Sequence, residues 1–255
     1  GNLNWCYHGA KPSAEQTESW TFLGEKVPLA DTYKYLGLWI TTDLTWKTHA
    51  VEISRKTHKA RLAMNQVLKN RNIAVKIRIE MYKVLIRTKV EYGTELLEFE
   101  ESGAKKIESV QNRTLTSILQ CNQNTDASAV RAECGVASLA NRRLATKARY
   151  GARLLMMDDK RLTKETYKMP WPPSQTSGRP QASWKELYKK AMETLVLRTG
   201  NIDAYTDVDE NPSYNAWKTQ VSKALQGLAQ REFLKDCKDH KKLAVLNFLN
   251  EAPSL

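Results

Sequence analysis

The sequence predicts a mainly α-helical protein, in which a short N-terminal β-hairpin is followed by a helical bundle and a further helical region. Two patterns predict this fold class. Residues 20–41 hold an apolar and aromatic run, a turn at Gly24-Glu25-Lys26, and a second run rich in Tyr, Leu, Trp and Ile, as is typical of paired strands. After Trp46 the apolar residues recur every three to four positions, which is the period of an amphipathic helix.

Six helical segments follow from that period and from its interruptions. Thr41-Thr42-Asp43 supplies side chains suited to cap the first segment. Residues 169–181 contain four prolines, which exclude regular helix, so we expect a linker there. The predicted segments span residues 46–70, 74–97, 103–120, 141–157, 182–198 and 212–248.

The apolar positions also predict which faces of the first three helices are buried. The first and third segments each have one inward face, whereas the second has two apolar rows and is expected to be buried on most sides. The inward residues are Ile53, Thr57, Ala60, Met64, Val67 and Leu68 in the first segment and Ile107, Val110, Leu115, Ile118 and Leu119 in the third. The two rows of the second are Ile77, Met81, Val84, Leu85 and Ile79, Tyr82, Ile86, Val90, with Lys76, Glu80, Lys83, Arg87 and Glu91 as its exposed stripe.

Short loops between these three helices indicate a compact bundle. We therefore divide the chain into a hairpin at residues 1–46, a helical bundle at 47–125 and a helical region at 126–255 that is interrupted at 169–181. A chain of 255 residues with 41% hydrophobic residues is large enough for one sizeable core or for two to three smaller ones.

Positive charge is unevenly distributed along the chain. The formal net charge is +12, with 40 Lys and Arg against 28 Asp and Glu. Residues 45–95 alone hold twelve Lys and Arg against four Glu, whereas the first 44 residues hold more acidic than basic side chains. Such a surface favours polyanions or anionic membranes, and nucleic acid is the commoner partner.

The four cysteines are scattered at positions 6, 121, 134 and 237, without the close spacing of a disulfide framework or a zinc knuckle. A reducing intracellular compartment is expected, with nuclear and organellar locations both left open. The start of the chain lacks an initiator Met and a signal sequence, and no apolar run approaches about 20 residues. We expect a fragment or a processed chain that does not act in a membrane.

Four motifs in a fixed order resemble a known family. The first combines YKYLG at residues 33–37 with DLTWKTH at residues 43–49. The others are Tyr82 followed by EYG at 91–93, IESVQNRTLTSIL at 107–119, and VRAECGVASLANRR at 130–143. Together they resemble the region that follows the catalytic aspartates in the reverse transcriptases of non-LTR (LINE-type) retrotransposons. The resemblance covers residues 20–155 and is faint beyond the prolines.

The resemblance implies a location within such an enzyme: the end of the palm at residues 1–46, a thumb-like bundle at 47–125, and a linker region at 126–255. In that family the thumb grips the template–primer duplex behind the active site. The Cys/His knuckle typical of the family does not occur in this sequence.

No polymerase active site is expected in this chain. Polymerase chemistry needs carboxylates that hold two metal ions about 4 Å apart. Met156-Met157-Asp158-Asp159 imitates such a motif, but it follows an Arg-rich helical run and lacks flanking strands. The acidic residues 207–210, and a zinc site from Cys6, His8, Cys237 and His240, are weaker alternatives. No cofactor is expected, and Mg²⁺ would be required only if a palm domain exists elsewhere.

Phosphate binding by Lys and Arg needs no particular base, and this suits a surface that slides along any duplex. The alternative for each cation is a solvated helix face. The residues expected to bind nucleic acid are Arg55, Lys56, Lys59, Arg61, Lys69, Arg71, Lys76 and Arg78.

The aromatic residues divide into two groups. Trp39, Trp46, Tyr82 and Tyr92 lie within apolar patterns and are expected in the core. Trp171, among prolines, and Tyr214 are candidates for stacking on an unpaired base or docking to a partner.

Three functions remain open from the sequence. The chain is either the thumb and linker of an active reverse transcriptase, binding RNA or an RNA–DNA duplex beside a palm-bearing chain, or a non-enzymatic RNA-binding subunit of a ribonucleoprotein such as a ribosome. The third, weaker option is a protein-interaction scaffold whose charge only aids solubility; its partner binding would be insensitive to salt.

Overall fold

Two short antiparallel strand pairs open the described part of the chain, and helices follow them. The computed structural model describes residues 21–27, 29–43, 45–170, 183–195 and 214–239. Strand β1 (Thr21–Phe22) pairs with β2 (Glu25–Lys26), and β3 (Thr32–Tyr35) pairs with β4 (Leu38–Thr41). The prediction of a mainly helical protein with a short N-terminal β-hairpin is confirmed, and the strands form two separate pairs.

The turn between β3 and β4 explains why glycine stands in the YKYLG motif. Leu36 and Gly37 both have left-handed backbone angles, with φ of +45° and +89°. Two successive positive φ values are those of a type I′ turn, whose twist matches a two-residue hairpin. The turn sets the register in which Lys34 faces Trp39 across the pair.

The helices follow the predicted order with shifted ends. The first and third predicted segments correspond to α1 with α2 and to α5, and the fourth corresponds to α7. The helices are α1 (Lys47–Ala63), α2 (Asn65–Leu68), α3 (Val75–Met81), α4 (Thr88–Glu91), α5 (Glu101–Leu119), α6 (Ala127–Glu133), α7 (Leu139–Leu155), α8 (Leu162–Lys168), α9 (Trp184–Thr194) and α10 (Tyr214–Asp239), with a π-helical segment, Tyr82–Arg87, between α3 and α4.

For the second predicted helix, at residues 74–97, the predicted end and the predicted burial on most sides are both wrong. Helix α4 stops at Glu91 because Gly93 takes φ of +75° and packs against Leu38 of β4, a position where a larger residue would collide. Only the row that contains Ile79 and Tyr82 is buried. The other row faces outward: Ile77 is 55% exposed and Val84 62% exposed.

Helices α6 and α8 were not predicted from the sequence. Each is seven residues long, which is two turns or less, so the helical period is hard to recognise. The carboxylate of Asp126 caps α6 by accepting a hydrogen bond of 2.8 Å from the backbone N–H of Ser128. Asp126 is the first residue after the helical bundle predicted at residues 47–125.

Three large apolar clusters form most of the described core, and helices α5 and α7 connect them; a fourth, smaller cluster joins α6 to α10. One cluster joins α2, α3, the π-helical segment, α5 and α6. A second joins the start of α1 and residues 90–99 to α5 and to Leu139 at the start of α7. The third packs α7 against α9 and α10. Because Val130 and Cys134 pack with Leu115 and Ile118, packing continues past residue 125.

Buried polar side chains run between α4, α5 and α7. Arg142 of α7 forms a two-bond ion pair with Glu91, with Nη2 3.0 Å from Oε2, and Arg87 lies 3.6 Å from the same carboxylate. Arg87 and Glu91 are therefore part-buried and do not continue the exposed stripe predicted for this helix. Lys147 is only 1% exposed; its Nζ donates to the carbonyl of Leu97 at 2.5 Å and pairs with Glu98 at 2.9 Å.

The close packing of α7 on α9 gives a first prediction. A methyl group at Gly151 would overlap the ring of Tyr188, which is buried in the third cluster. Gly151→Ala should therefore lower the free energy of unfolding by about 1–3 kcal/mol, measured by urea denaturation with circular dichroism. In Gly227→Ala on α10, the added carbon would meet only a flexible Arg231 nitrogen at 3.5 Å, and a gain of about 0.5–1 kcal/mol is expected. Equal effects of the two substitutions would contradict this packing.

The buried histidine of the DLTWKTH motif gives a second prediction. His49 is buried against Phe99, its Nδ1 accepts the backbone N–H of Trp39, and burial lowers its pKa, with the charge of Lys56 acting in the same direction. A lowered folded-state pKa contributes stability above the unfolded value of about 6.5, and this is lost as the pH falls towards the folded value.

As the pH falls from 7.5 to 5.5, the free energy of unfolding should therefore decrease. Below about pH 6.5, His49 accounts for up to about 1.4 kcal/mol of that decrease per pH unit. In His49→Gln that part of the pH dependence should disappear, whatever the change in stability at neutral pH. Denaturation curves of the two proteins at several pH values test this. Parallel pH profiles would show that His49 does not titrate differently on folding.

Candidate nucleic-acid interface

Three of the predicted phosphate-binding cations lie exposed on helix α1. Arg55, Lys56 and Lys59 follow the turn of the helix, with Arg55 and Lys59 about one turn apart on its outward side. Arg55 is partly neutralised, because its Nη2 lies 2.7 Å from a carboxylate oxygen of Glu52. Within the described residues, Lys56 and Lys59 have no ion-pair partner closer than 4.0 Å.

Lys56 is joined by a cation from the β-hairpin. Lys34 of β3 lies opposite Trp39 on β4, and its Nζ stands 5.9 Å from the centre of the Trp39 indole ring. Burial lowers the pKa of Lys56, and the nearby charge of Lys34 lowers it further. Two ammonium groups that repel each other attract an anion placed between them. We call Lys34, Arg55, Lys56 and Lys59 the basic face.

A second pair of like charges lies where α1 packs along α5. The side chain of Arg61 is partly buried, and its Nε has no hydrogen-bond partner in the described structure. Burial lowers the pKa of Arg61, and the charge of the exposed Arg113 on α5 acts in the same direction. Arg61 therefore points to the α5 side of the bundle, whereas Lys56 points to the hairpin side.

The remaining predicted cations lie at the far end of this helix pair. From Arg55 to Lys69 the rise along a helix is about 20 Å. Gln120, at the end of α5, fixes this end: its Oε1 accepts from Arg71 Nε at 2.7 Å, and its Nε2 donates to the carbonyl of Lys69 at 2.8 Å. Lys76 is exposed near the start of α3. These cations are separate from the basic face: Lys69 and Arg71 follow α2, and Lys76 lies on α3.

Arg78 differs from its prediction because it points into the protein. Its side chain is 5% exposed, and its Nη1 donates to the carbonyls of Leu68 at 3.0 Å and Ile118 at 2.7 Å. These carbonyls lie at the last residue of α2 and near the end of α5, where helices leave carbonyl groups without intrahelical partners. Arg78 thus joins three helices and is not placed to contact a phosphate.

The aromatic residues also divide differently from the prediction. Tyr82 is fully buried and donates to Gln111 Oε1 at 2.5 Å, while Trp39 and Trp46 are half-buried. Tyr92, predicted in the core, is 56% exposed; its ring lies beside Gly37, and its hydroxyl donates to the carbonyl of Leu36 at 2.7 Å. Tyr214 is half-buried at the start of α10 beneath Lys218, and Trp171 lies outside the described residues.

The two aspartates that imitate a polymerase motif, Asp158 and Asp159, lie in the turn that follows helix α7. Asp159 pairs with Lys164 at 2.7 Å and Lys168 at 2.9 Å, hydrogen bonds that lower its pKa to about 2. Lys164 also donates to the carbonyls of Leu155 and Met157, so this cluster satisfies the end of α7 and the turn after it. Asp158 accepts the backbone N–H of Lys160 within that turn.

The other candidate metal ligands give no further site in the described ranges. No group of three or more His, Cys, Asp or Glu residues there is arranged to hold a metal ion. The acidic residues 207–210 and three members of the alternative zinc set, at positions 6, 8 and 240, lie outside those ranges. Among the helices described, none has the length and apolar character needed to cross a bilayer.

Lys34 and Arg113 were missed by the sequence analysis. Lys34 lies in a segment with a net negative charge, and a hairpin register is needed to place it beside α1. Arg113 was visible as an off-face cation of the third predicted helix. Its position beside Arg61 depends on how α5 packs.

Comparison of the chain with family models, with curated proteins and with solved structures gives no match. The resemblance to non-LTR retrotransposon reverse transcriptases therefore rests on the four sequence motifs.

The burial of Arg78 gives a prediction that separates structural from binding cations. Arg78→Met keeps an unbranched side chain but leaves two carbonyls without their donor, so it should lower the unfolding free energy by about 2–4 kcal/mol. Lys76→Gln, at an exposed position, should change it by less than about 0.5 kcal/mol. Urea denaturation of both variants tests this, and a fully stable Arg78→Met protein would contradict the assigned hydrogen bonds.

Proposed function

We propose that this chain is a nucleic-acid-binding segment that holds RNA or an RNA–DNA duplex by its phosphates. The contact surface is the basic face, and Arg61, Arg113, Lys69, Arg71 and Lys76 extend it along the bundle. The binding is expected to be largely independent of base sequence, since ammonium and guanidinium groups on a helix face meet the backbone first. No catalytic step is assigned to this chain, and Mg²⁺ enters only with a palm domain on another segment.

The observation that carries this proposal is the convergence of unpaired cations from two elements. Lys34 from the hairpin and Lys56 and Lys59 from α1 share one surface, without a bound carboxylate within the described residues. By contrast, Arg142 and Lys147 of the Arg-rich run on α7 are each paired with a carboxylate. Uncompensated like charges raise the local potential and favour a polyanion.

The motifs support a thumb-like role in a reverse transcriptase as the first form of this proposal. Helix α1 begins within the motif at residues 43–49 and carries Arg55, Lys56 and Lys59 directly after it, and α5 contains the motif at residues 107–119. In this form the chain works beside a palm-bearing segment that supplies the carboxylates.

A non-enzymatic subunit of a ribonucleoprotein is the second form. The exposed apolar row on α3 and the π-helical segment favours a protein neighbour in either form, because such a row is costly in water. Its members are Val75, Ile77, Val84 and Leu85. Within the described residues Cys121 and Cys134 form no disulfide, which fits the proposed reducing, intracellular location.

The proposal predicts that removing the lysines of the basic face weakens the salt dependence of nucleic-acid binding. In Lys34→Gln/Lys56→Gln/Lys59→Gln, the slope of log affinity against log salt should fall by about 3, because each phosphate contact contributes about one unit. Fluorescence anisotropy with labelled RNA duplex, RNA–DNA hybrid and single-stranded RNA, across a salt series, measures it. Preference for the hybrid favours the reverse-transcriptase form, and preference for folded RNA favours the ribonucleoprotein form.

The matched control removes the same charge elsewhere. Lys190→Gln/Lys223→Gln/Lys235→Gln neutralises three exposed lysines on α9 and α10. It lowers the net charge equally and should leave the salt slope within about one unit of the parent protein. If both triple variants change the slope by the same amount, only the overall charge matters and the basic face is not a binding surface.

A further inference from the structure

A pocket of about 390 Å³ lies between α7, α8 and α9, on a different part of the protein from the basic face. Its volume falls within the range of about 300–1,000 Å³ that is common for small-ligand sites. Three aromatic side chains, one from each helix, line it: Tyr150, Tyr167 and Trp184. We call it the aromatic pocket.

The aromatic rings are held in place by their own contacts. The indole of Trp184 stacks on Tyr188 with the ring planes 8° apart, and its Nε1 donates to the carbonyl of Glu95 at 2.9 Å. The rings of Tyr150 and Tyr167 meet Trp184 edge-on, at centre distances of 5.6 and 5.9 Å. The walls are therefore pre-organised, which lowers the entropic cost of binding a rigid ligand.

Apolar side chains surround the opening of the aromatic pocket. Leu96 is 44% and Leu162 72% exposed, and Leu154 closes the pocket from the buried side. An exposed apolar rim around an aromatic interior favours a ligand whose body is flat and poorly hydrated.

The edge of the pocket also carries positive charge. The Nζ of Lys185 stands 5.2 Å from the centre of the Tyr167 ring and donates long bonds of 3.4 Å to the carbonyls of Lys168 and Met169. Arg153 is exposed beside Tyr150, and neither cation has an ion-pair partner within the described residues. Lys168 is neutralised by Asp159. Burial raises the pKa of Tyr150, and the negative charge of Glu95 acts in the same direction.

We propose that the aromatic pocket binds an unpaired nucleobase of a nucleic-acid strand, with the attached phosphate directed towards Lys185. Aromatic side chains bind bases by stacking, whichever base is present, because every base has a π-face. Hydroxyl groups at Tyr150 and Thr163 lie in the lining and can hydrogen-bond with the base edge. This role goes beyond duplex binding, since a duplex keeps its bases stacked and paired.

Two other ligand classes fit part of this chemistry but not all of it. An aliphatic carboxylate would use the apolar walls and Lys185, but not the aromatic faces. A Pro-rich peptide would use the aromatic faces, but it has no anionic group to place near Lys185 and Arg153. A nucleotide uses the rings, the hydroxyl groups and the cation together.

Photo-crosslinking tests the proposal on the whole chain. An octanucleotide of RNA that contains 5-bromouridine is irradiated with the protein, and mass spectrometry identifies the linked residue. We expect crosslinks at Tyr150, Tyr167 or Trp184, and competition by adenosine monophosphate but not by the same concentration of inorganic phosphate. Crosslinks confined to other residues, or competition by decanoate or a decaproline peptide in place of the nucleotide, would overturn the proposal.

A blocking variant and its control measure the contribution to affinity. Thr163→Trp places a large ring in the lining from the exposed side of α8, whereas Thr194→Trp places it on the exposed side of α9, away from the pocket. The first should weaken octanucleotide binding about tenfold or more, and the second should not. Lys185→Gln provides a milder variant and should weaken binding of the same strand. Equal affinities for all these variants would overturn the proposal.

Failure of the proposed duplex binding is distinguishable from failure of this inference. The Lys34/Lys56/Lys59 triple variant should retain the crosslink in the aromatic pocket, and Thr163→Trp should retain the affinity of the parent chain for duplex. Loss of the crosslink in the triple variant would show that the strand is held by the basic face and that the pocket is not an independent site.

Discussion

The arrangement of the helices depends on polar groups that are buried between the end of α4, α5 and α7. Glu108 of α5 accepts the backbone N–H of Leu139 at 3.0 Å and the side-chain amide of Gln111 at 3.2 Å. Burial raises the pKa of Glu108 although Arg131 lies 3.8 Å away. Groups of this kind are costly to bury unless each has its partner, so a shift of one helix along another would break several hydrogen bonds at once. The polar contacts therefore fix the position of each helix along its neighbour, which apolar packing alone defines less well.

That constraint decides which cations have a partner within the described residues and which are left exposed. The Arg-rich run on α7 resembles a binding surface in sequence, yet Arg142 is paired with Glu91, Arg149 donates to Ser222, and Lys147 is buried. On α1 the corresponding carboxylates are fewer, and Lys56 and Lys59 are left to solvent. The number of cations in a segment is therefore a weaker indication of a binding surface than the number left without partners.

Two different surfaces lie on different elements of this fold. The basic face lies on α1 and the hairpin, whereas the aromatic pocket lies between α7, α8 and α9. Helices α5 and α7 are common to the clusters beneath both. A surface of cations suits a regular backbone, and an aromatic pocket suits a base outside a duplex.

The sequence by itself determined the class of the fold and the main elements. Glycine at the YKYLG turn and the apolar period of α1, α5 and α7 are local features, because a hairpin turn and a helix are stabilised by neighbours along the chain. The cluster of cations at residues 45–95 includes α1, which carries three of the four residues of the basic face. The end of α4 was missed because it depends on contact between Gly93 and the distant Leu38.

Only the tertiary structure decided which cations and aromatic side chains are buried and which residues they contact. Helical periodicity gives the direction of Arg78 around α3, but not that carbonyls 10 and 40 residues away lie within its reach. It does not show which of two apolar rows is covered, since that depends on the helix packed against it. The aromatic pocket is similarly formed by rings that are 17 to 34 residues apart in sequence. Local sequence patterns determine helices and turns, whereas burial and assembled sites depend on contacts between residues that are far apart in the chain.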